Sequence, residues 1–157
     1  MKADEKKYFP MFVDLTQKKV TVIGAGNIAK RRIETLLSFA GTIEVIAPDA
    51  CERIKELAKE GRLVWKEKEY DREDLYDADL VLSATNNEKV NNDVYSACKC
   101  LGISVNTASN RMKCDFYFPS ILQKEETVIG LNSAGNPAKT KNVRKEMQKW
   151  IEEAGEK

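Results

Sequence analysis

The stretch that decides the fold covers residues 19–29 and reads KVTVIGAGNIA. Its first five residues are mostly β-branched and predict a buried strand, which runs directly into two closely spaced glycines. We expect Gly24 to allow a sharp turn and Gly26 to leave room for a pyrophosphate beside the backbone. The small Ala29 lets the following helix pack close to the sheet. This strand, turn and helix together match the G-x-G-x-x-A pattern of dinucleotide-binding domains.

The same turn is a candidate cofactor site. The N-terminus of a helix presents N–H groups and a partial positive charge to phosphates, and Asn27 and Ile28 open the helix here. A glycine turn that binds nothing is the alternative interpretation. We favour nucleotide binding, because the turn follows the first strand of an alternating strand and helix pattern.

Strands and helices alternate along the first two thirds of the chain. After the glycine turn, the apolar spacing predicts a helix that is stopped by Gly41. Further strands are predicted at residues 42–47, 63–65, 79–83 and 103–106, with helices or a brief helical turn between them. Such βαβ units form a parallel sheet with helices on both faces. The predicted fold is therefore α/β, a Rossmann-like doubly wound parallel sheet over residues 1–112.

The residues after the second strand bear on the choice of cofactor. Asp49 follows Pro48 where NAD enzymes often carry an acidic residue that binds the ribose hydroxyls. Asp49 and Glu52 also have a spacing like that of a capping box, so Asp49 either reaches the ribose or caps the next helix. No arginine at the strand end favours a 2′-phosphate, so NAD is predicted rather than NADP. Thr85 and Asn86 follow the fourth strand and either contact the cofactor or form a turn.

The pattern changes after about residue 110, and residues 113–157 are predicted to form a small C-terminal dimerisation segment. Residues 126–131 alternate weakly and predict one strand, whereas Asn136 followed by Pro137 is a typical helix start. A lone strand leaves both edges unpaired, so one strand and one helix would bury little by themselves. We therefore expect a homodimer in which this tail pairs with a second copy of the chain.

Composition narrows the classes of function. The 26 Lys and Arg residues nearly balance the 25 Asp and Glu residues, so charge gives no general reason to expect nucleic acid or a membrane as partner. The chain has no histidine, which removes histidine-based catalysis and histidine metal ligands. Its four cysteines form no paired C-x-x-C units, so no metal site is predicted. Because no signal-peptide core and no apolar run of about 20 residues is present, we expect a cytoplasmic protein.

Blocks along nearly the whole chain resemble the precorrin-2 dehydrogenase family, which includes the N-terminal half of siroheme synthase. In chain order they read YFPMFVDL (8–15), the glycine turn (20–32), VIAP (45–48), ATNNEKVN (84–91), VN (105–106), CDFYFP (114–119) and SAGNPA (133–138). The resemblance implies a Rossmann domain followed by a segment in which two subunits interlock. It also implies a reaction, the oxidation of precorrin-2 to sirohydrochlorin with a hydride passed to NAD. Some members of the family insert ferrous iron as well.

The tetrapyrrole substrate of this family carries many carboxylates, so the resemblance implies a basic wall around it. The residues predicted to contact it are Asn106, Ser133, Lys139 and Arg144. A solvated helix face is the alternative interpretation for the two basic residues.

The catalytic position is where the chain departs from the family. Members usually carry an aspartate three residues after the asparagine that ends the fifth strand, and Ser109 stands there in this chain. A hydroxyl is no general base at neutral pH without an activator, and Asp115 is the nearest carboxylate. Ser109 and Asp115 are therefore the two candidate catalytic residues. The favoured function is an NAD-dependent precorrin-2 dehydrogenase. The alternatives are a non-catalytic dimer that binds NAD or a tetrapyrrole, and a chelatase-like protein without redox activity.

Overall fold

A computed structural model describes residues 8–154 of the chain. Its main sheet has five strands, β1 (Lys19–Ile23), β2 (Thr42–Ala47), β3 (Val64–Glu67), β4 (Leu80–Ser83) and β5 (Ser104–Thr107). The helices between them are α1 (Asn27–Leu36), α2 (Glu52–Lys59) and α3 (Glu88–Leu101), with short 3₁₀ turns at Arg72–Leu75 and Arg111–Lys113. Each predicted strand of the sheet is present within one or two residues of its expected bounds.

All five strands are parallel, in the spatial order β3-β2-β1-β4-β5. The central strands are buried on both faces: on β1, Val22 is 0% exposed on one face and its neighbour Ile23 is 2% exposed on the other. The chain winds outward from β1 to β3 and then returns to start the other half at β4. The α/β Rossmann-like doubly wound prediction is thereby confirmed. The order of the strands reverses between β1 and β4, which is where such sheets bind ligands.

Helix α1 ends at Leu36, earlier than the predicted stop at Gly41. The following residues turn the chain back to the sheet, where Gly41 donates its N–H to the carbonyl of Leu15 at 2.8 Å. A Cβ at Gly41 would lie 2.1 Å from the carbonyl oxygen of Thr16. Glycine is therefore needed at this position by the close approach of two backbones, and it does not act as the helix cap.

The predicted capping box of Asp49 and Glu52 does not form. Helix α2 begins at Glu52 with Cys51 as its N-cap, and no side chain caps it. Oδ1 of Asp49 instead accepts the N–H of Ala50 at 2.8 Å. Asp49 therefore does not cap α2, which was one of its two predicted roles.

The C-terminal part contains a strand that the sequence analysis missed. Strand β6 (Ser120–Lys124) pairs antiparallel with β7 (Thr127–Leu131), and helix α4 (Pro137–Ala154) follows. The expectation of a lone strand with two unpaired edges is therefore wrong, because each strand has the other as its neighbour. Helix α4 is the longest helix, yet within residues 8–154 no helix is long and apolar enough to cross a membrane.

The chain divides into two compact units, one ending at Phe116 and the other beginning at Tyr117. The first unit holds the parallel sheet and the second holds the hairpin of β6 and β7 with α4. Within the second unit, Nζ of Lys124 donates a hydrogen bond to the carbonyl of Ile151 at 2.8 Å, which ties β6 to α4.

Candidate functional site

The glycine turn after β1 lies at the point where the strand order reverses. Gly24 has a φ of 103°, and its N–H donates to the carbonyl of Ile46 at 2.9 Å. A Cβ at Gly24 would lie 2.7 Å from the carbonyl oxygen of Ala84. Both the positive φ and this close approach require glycine, so Gly24 allows the turns after β1 and β4 to pass each other.

Gly26 faces open space. A Cβ built there would meet nothing within 4 Å, and Gly26 serves as the N-cap of α1 without any side-chain hydrogen bond. Helix α1 therefore begins, with Asn27 and the exposed Ile28, without a side-chain hydrogen bond at its N-terminus. Open space beside an uncapped helix N-terminus fits the pyrophosphate of a dinucleotide.

A cleft of about 410 Å³ opens at the carboxyl ends of β4 and β5. Four residues predicted from the sequence line it, namely Ile28, Thr85, Asn86 and Ser109. The remaining lining residues are Ala84, Glu88, Asn91, Asn92, Thr107, Ala108 and Asn110. The fold thus brings the start of α1, the turn after β4 and the loop after β5 together around one cavity.

Asn91 organises this cleft, although its side chain is only 2% exposed. Its Oδ1 accepts a hydrogen bond from Oγ of Ser83 at 2.6 Å. Its Nδ2 donates to the carbonyl of Thr85 at 2.9 Å and to Oγ of Ser109 at 3.2 Å. One buried amide on α3 therefore fixes the loops that follow both β4 and β5.

Ser109 is exposed and lines the cleft, so it is placed to contact a ligand. Its Oγ accepts the hydrogen bond from Asn91, and this leaves the hydroxyl hydrogen available as a donor. Asp115 is placed differently: its Oδ2 accepts the N–H of Val105 at 3.0 Å, and its other oxygen pairs with Lys99. The structure therefore puts Asp115 beside the start of β5, whereas Ser109 follows the end of that strand.

Asn106 is buried on β5 and does not line the cleft. Its Oδ1 accepts a hydrogen bond from Nη1 of Arg32 at 2.6 Å, and its Nδ2 donates to the carbonyl of Phe116 at 2.7 Å. Burial lowers the pKa of the Arg32 guanidinium from its ordinary value. Asn106 therefore connects β5 to α1 and to the end of the first unit.

Ser133, Lys139 and Arg144 lie in the second unit, in the turn before α4 and on α4 itself. The N–H of Ser133 donates to Oγ1 of Thr140 at 3.2 Å. Lys139 and Arg144 are exposed, as the prediction of a basic wall and the alternative of a solvated helix face both require.

Pro48 and Asp49 lie exposed at the end of β2, outside the lining of the cleft. Lys55 on α2 approaches Asp49, with its Nζ 3.1 Å from Oδ1. The hydrogen bond from Lys55, together with the N–H of Ala50, lowers the pKa of the Asp49 carboxyl. The indole N–H of Trp65 donates to the carbonyl of Ala47 at 3.0 Å and so holds the ring near the same strand end.

Sequence reasoning did not assign the other lining residues to the site, and two of them, Asn91 and Glu88, bear on its chemistry. Asn91 belongs to the ATNNEKVN block that carries the family resemblance, but the sequence analysis gave it no role of its own. Nothing in the neighbouring sequence shows that its amide reaches the loop after β5. Glu88, the first residue of α3, is the single carboxylate among the described residues that line the cleft. Among residues 8–154, no group of three or more His, Cys, Asp or Glu side chains is arranged to hold a metal ion.

Comparisons with known proteins agree with this geometry. Residues 11–120 match the family model described as "Putative NAD(P)-binding". The chain is 35% identical over 146 residues to siroheme synthase of Pseudoalteromonas atlantica. The aligned region covers 92% of this chain and 32% of that protein. It is 35% identical over 128 residues to siroheme synthase of Buchnera aphidicola subsp. Acyrthosiphon pisum, over 82% of this chain and 27% of that protein. The chain thus spans about a third of the length of these relatives.

Among solved structures, the precorrin-2 dehydrogenase SirC superposes with a TM-score of 0.73 and 26% sequence identity. That match covers 90% of this chain and 70% of SirC. The resemblance noted in the sequence to the precorrin-2 dehydrogenase family, including the part of siroheme synthase that matches, is confirmed. With more than half of its length matched by the family model, the chain belongs to this NAD(P)-binding family.

Proposed function

We propose that this protein is an NAD-dependent precorrin-2 dehydrogenase of siroheme biosynthesis. The observation that carries the proposal is the glycine turn at the strand-order reversal, where the space beside Gly26 is open and α1 has no side-chain cap. The names of the related proteins supply the substrate class, because siroheme synthases and a precorrin-2 dehydrogenase match most of the chain.

The main chain of the glycine turn and the first turn of α1 would hold the pyrophosphate, and Asp49 would accept hydrogen bonds from the ribose hydroxyls. When bound, the nicotinamide accepts the hydride that precorrin-2 loses on oxidation. Thr85 and Asn86 would contact the cofactor from the turn after β4, since both line the cleft beside Ile28. The carboxylate of Asp49 favours NAD over NADP, because a 2′-phosphate would meet a negative charge.

Ser109 would orient the substrate as a hydrogen-bond donor. Its oxygen already accepts from Asn91, and the chain contains no histidine to remove the hydroxyl proton. Within the described lining of the cleft, Glu88 is the one carboxylate available to receive a proton. Ser133, Lys139 and Arg144 are proposed to bind carboxylates of the tetrapyrrole.

A homodimer is part of this proposal. Exposed apolar side chains support it in both units, with Phe9 88% and Phe12 79% exposed in the first and Trp150 61% exposed in the second. Met11 adds to the first group at 73%. Exposure of such large apolar side chains is typical of a surface that a partner covers.

The test is to mix purified protein with precorrin-2 and NAD under anaerobic conditions and to follow NADH absorbance. The proposal predicts NADH formation well above the rate without protein, and loss of that signal in Gly26→Val. Glu60→Gln, an exposed change at the end of α2, is the control and should behave as the wild type. NADH formation at the protein-free rate would contradict the dehydrogenase.

A second candidate is a non-catalytic dimer that binds NAD or a tetrapyrrole, and Ser109 is the observation that favours it. A serine stands where the family usually has an aspartate. The carboxylate of Asp115 pairs with Lys99 and accepts the N–H of Val105 near the start of β5. NAD binding by calorimetry without any NADH formation would select this candidate. Ser109→Asp would then be expected to introduce turnover, because it restores a carboxylate at that position.

A further inference from the structure

The end of β2 carries a charge arrangement that bears on cofactor choice. Nζ of Lys55 lies 3.1 Å from Oδ1 of Asp49 and 3.5 Å from Oε1 of Glu52. One ammonium group therefore sits between two carboxylates, and this group of three side chains has a net charge of −1 at neutral pH. All three belong to the segment that leaves the sheet beside the predicted ribose position.

Lys55 is held in this place by more than its ion pairs. Its Nζ lies 5.9 Å from the centre of the Trp65 ring, within the range of a cation–π contact. Trp65 is itself fixed by the hydrogen bond from its indole N–H to the carbonyl of Ala47. The ammonium is thus located near the last residue of β2, where a nucleotide 2′-substituent would arrive.

We propose that Lys55 is a masked binding group for a 2′-phosphate, and that its ion pair with Asp49 sets the preference of this chain for NAD over NADP. This inference rests on the proposed function, since it assumes that a dinucleotide binds at the glycine turn. Oδ1 of Asp49 is used by Lys55 and by the N–H of Ala50. Oδ2 has no hydrogen-bond partner among residues 8–154 and is available to accept from ribose hydroxyls.

The masking works through charge and geometry together. A 2′-phosphate that approached Lys55 would have to displace the carboxylate of Asp49, and it would also meet the charge of Glu52. The neutral 2′-hydroxyl of NAD needs only an acceptor, which Oδ2 supplies without breaking the ion pair. Replacing Asp49 by asparagine exchanges the charged acceptor of the NAD ribose for a weaker, neutral amide oxygen. It also removes one of the two carboxylates beside Lys55, which leaves the ammonium paired only with Glu52 at 3.5 Å and easier for a 2′-phosphate to reach.

The test measures the binding of NAD and of NADP to the full chain by isothermal titration calorimetry, without substrate. In Asp49→Asn, NADP is expected to bind about tenfold more tightly than in the wild type, and NAD several-fold more weakly. The gain in NADP affinity should shrink as salt is added, because the ammonium of Lys55 is only half-buried and salt screens its attraction to a phosphate.

The double variant Asp49→Asn/Lys55→Gln distinguishes a specific contribution of Lys55 to NADP binding from the effect of a changed net charge. It should lose the gain in NADP affinity, whereas Asp49→Asn/Lys59→Gln, with the same net charge and an exposed lysine one turn further along α2, should keep it. Equal NADP affinity in Asp49→Asn with and without Lys55 would overturn the inference and leave NAD binding by the wild type intact. A wild-type chain that binds neither nucleotide would overturn both the inference and the proposed function.

Discussion

Nδ2 of Asn91, on α3, donates a hydrogen bond to Oγ of Ser109, in the loop after β5, across 3.2 Å. The same amide accepts a hydrogen bond from Ser83 and donates one to the carbonyl of Thr85. Because Asn91 is 2% exposed, these partners replace water almost completely. The position of Ser109 in the cleft therefore depends on a residue that does not itself need to touch a ligand.

We predict that Asn91→Leu lowers the free energy of unfolding by about 2 kcal/mol, because it leaves the buried hydroxyl of Ser83 and the carbonyl of Thr85 without a partner. Ser109→Ala removes one part-buried hydrogen bond and is expected to cost less than Asn91→Leu, about 1 kcal/mol. Urea denaturation of both variants, with the exposed Asn86→Ala as control, measures this difference. Similar losses for Asn91→Leu and Asn86→Ala would contradict the role assigned to the network.

The two glycines of the turn are expected to respond differently to substitution. Gly26→Val should fold normally, since a side chain there meets open space, but it should abolish NAD binding by occupying the place of the pyrophosphate. Gly24→Ala should destabilise the fold by more than about 1 kcal/mol, because its φ is 103° and its Cβ would lie 2.7 Å from the carbonyl oxygen of Ala84. Thermal unfolding and calorimetric titration with NAD distinguish the two effects. Normal NAD binding by a folded Gly26→Val would place the cofactor elsewhere.

Two cysteines on α3 provide a test of its orientation. Cys98 is fully buried whereas Cys100 is exposed, although they are two residues apart. Burial, with a contribution from Asp115, raises the pKa of the Cys98 thiol to about 12. We expect a maleimide to label Cys100 rapidly in the native protein and Cys98 only after denaturation, as peptide mass mapping would show. Cys100→Ser is the control that should remove the fast-reacting site.

The raised pKa of Cys98 also predicts a dependence of stability on pH. The unfolded thiol ionises around its ordinary pKa of 9.0, whereas the folded thiol keeps its proton until about 12. The stabilisation is therefore complete below pH 9.0 and is lost as the pH rises through this interval, because only the unfolded state releases the proton there. Denaturation of the wild type and of Cys98→Ala across this range should show a smaller decline in the variant. Parallel curves would contradict the assignment to Cys98.

Self-association is the last prediction. We expect a homodimer in sedimentation experiments at micromolar concentration, and Trp150→Ala should weaken it at least about tenfold, because large exposed aromatic residues contribute most to such interfaces. Lys149→Ala, the exposed neighbour on α4, is the matched control and should change little. A clean monomer of the wild type would refute the dimer.

The local pattern of residues 19–29 was sufficient to predict the turn, and the strand and helix alternation was sufficient to predict the sheet. This succeeded because the period of apolar residues and the positions of glycines are local properties of a chain. The missed strand β6 had no such signal: Ser120–Lys124 is short and becomes a strand only because β7 lies beside it. Similarly, the spacing of Asp49 and Glu52 suggested a capping box, but Ala50 and Lys55 bind the carboxylate of Asp49 instead.

The sequence by itself determined the glycine turn, the parallel sheet and the family, since these depend on residues that are neighbours along the chain. Only the tertiary structure decided which side chains share the cleft and which do not. Ser109 and Asn91 are 18 residues apart in sequence yet joined by a hydrogen bond, whereas Asp115, closer to Ser109 in sequence, is held beside the start of β5. The physical reason is that hydrogen bonds and ion pairs between distant segments form only after the sheet has aligned them, and no local pattern encodes those partners.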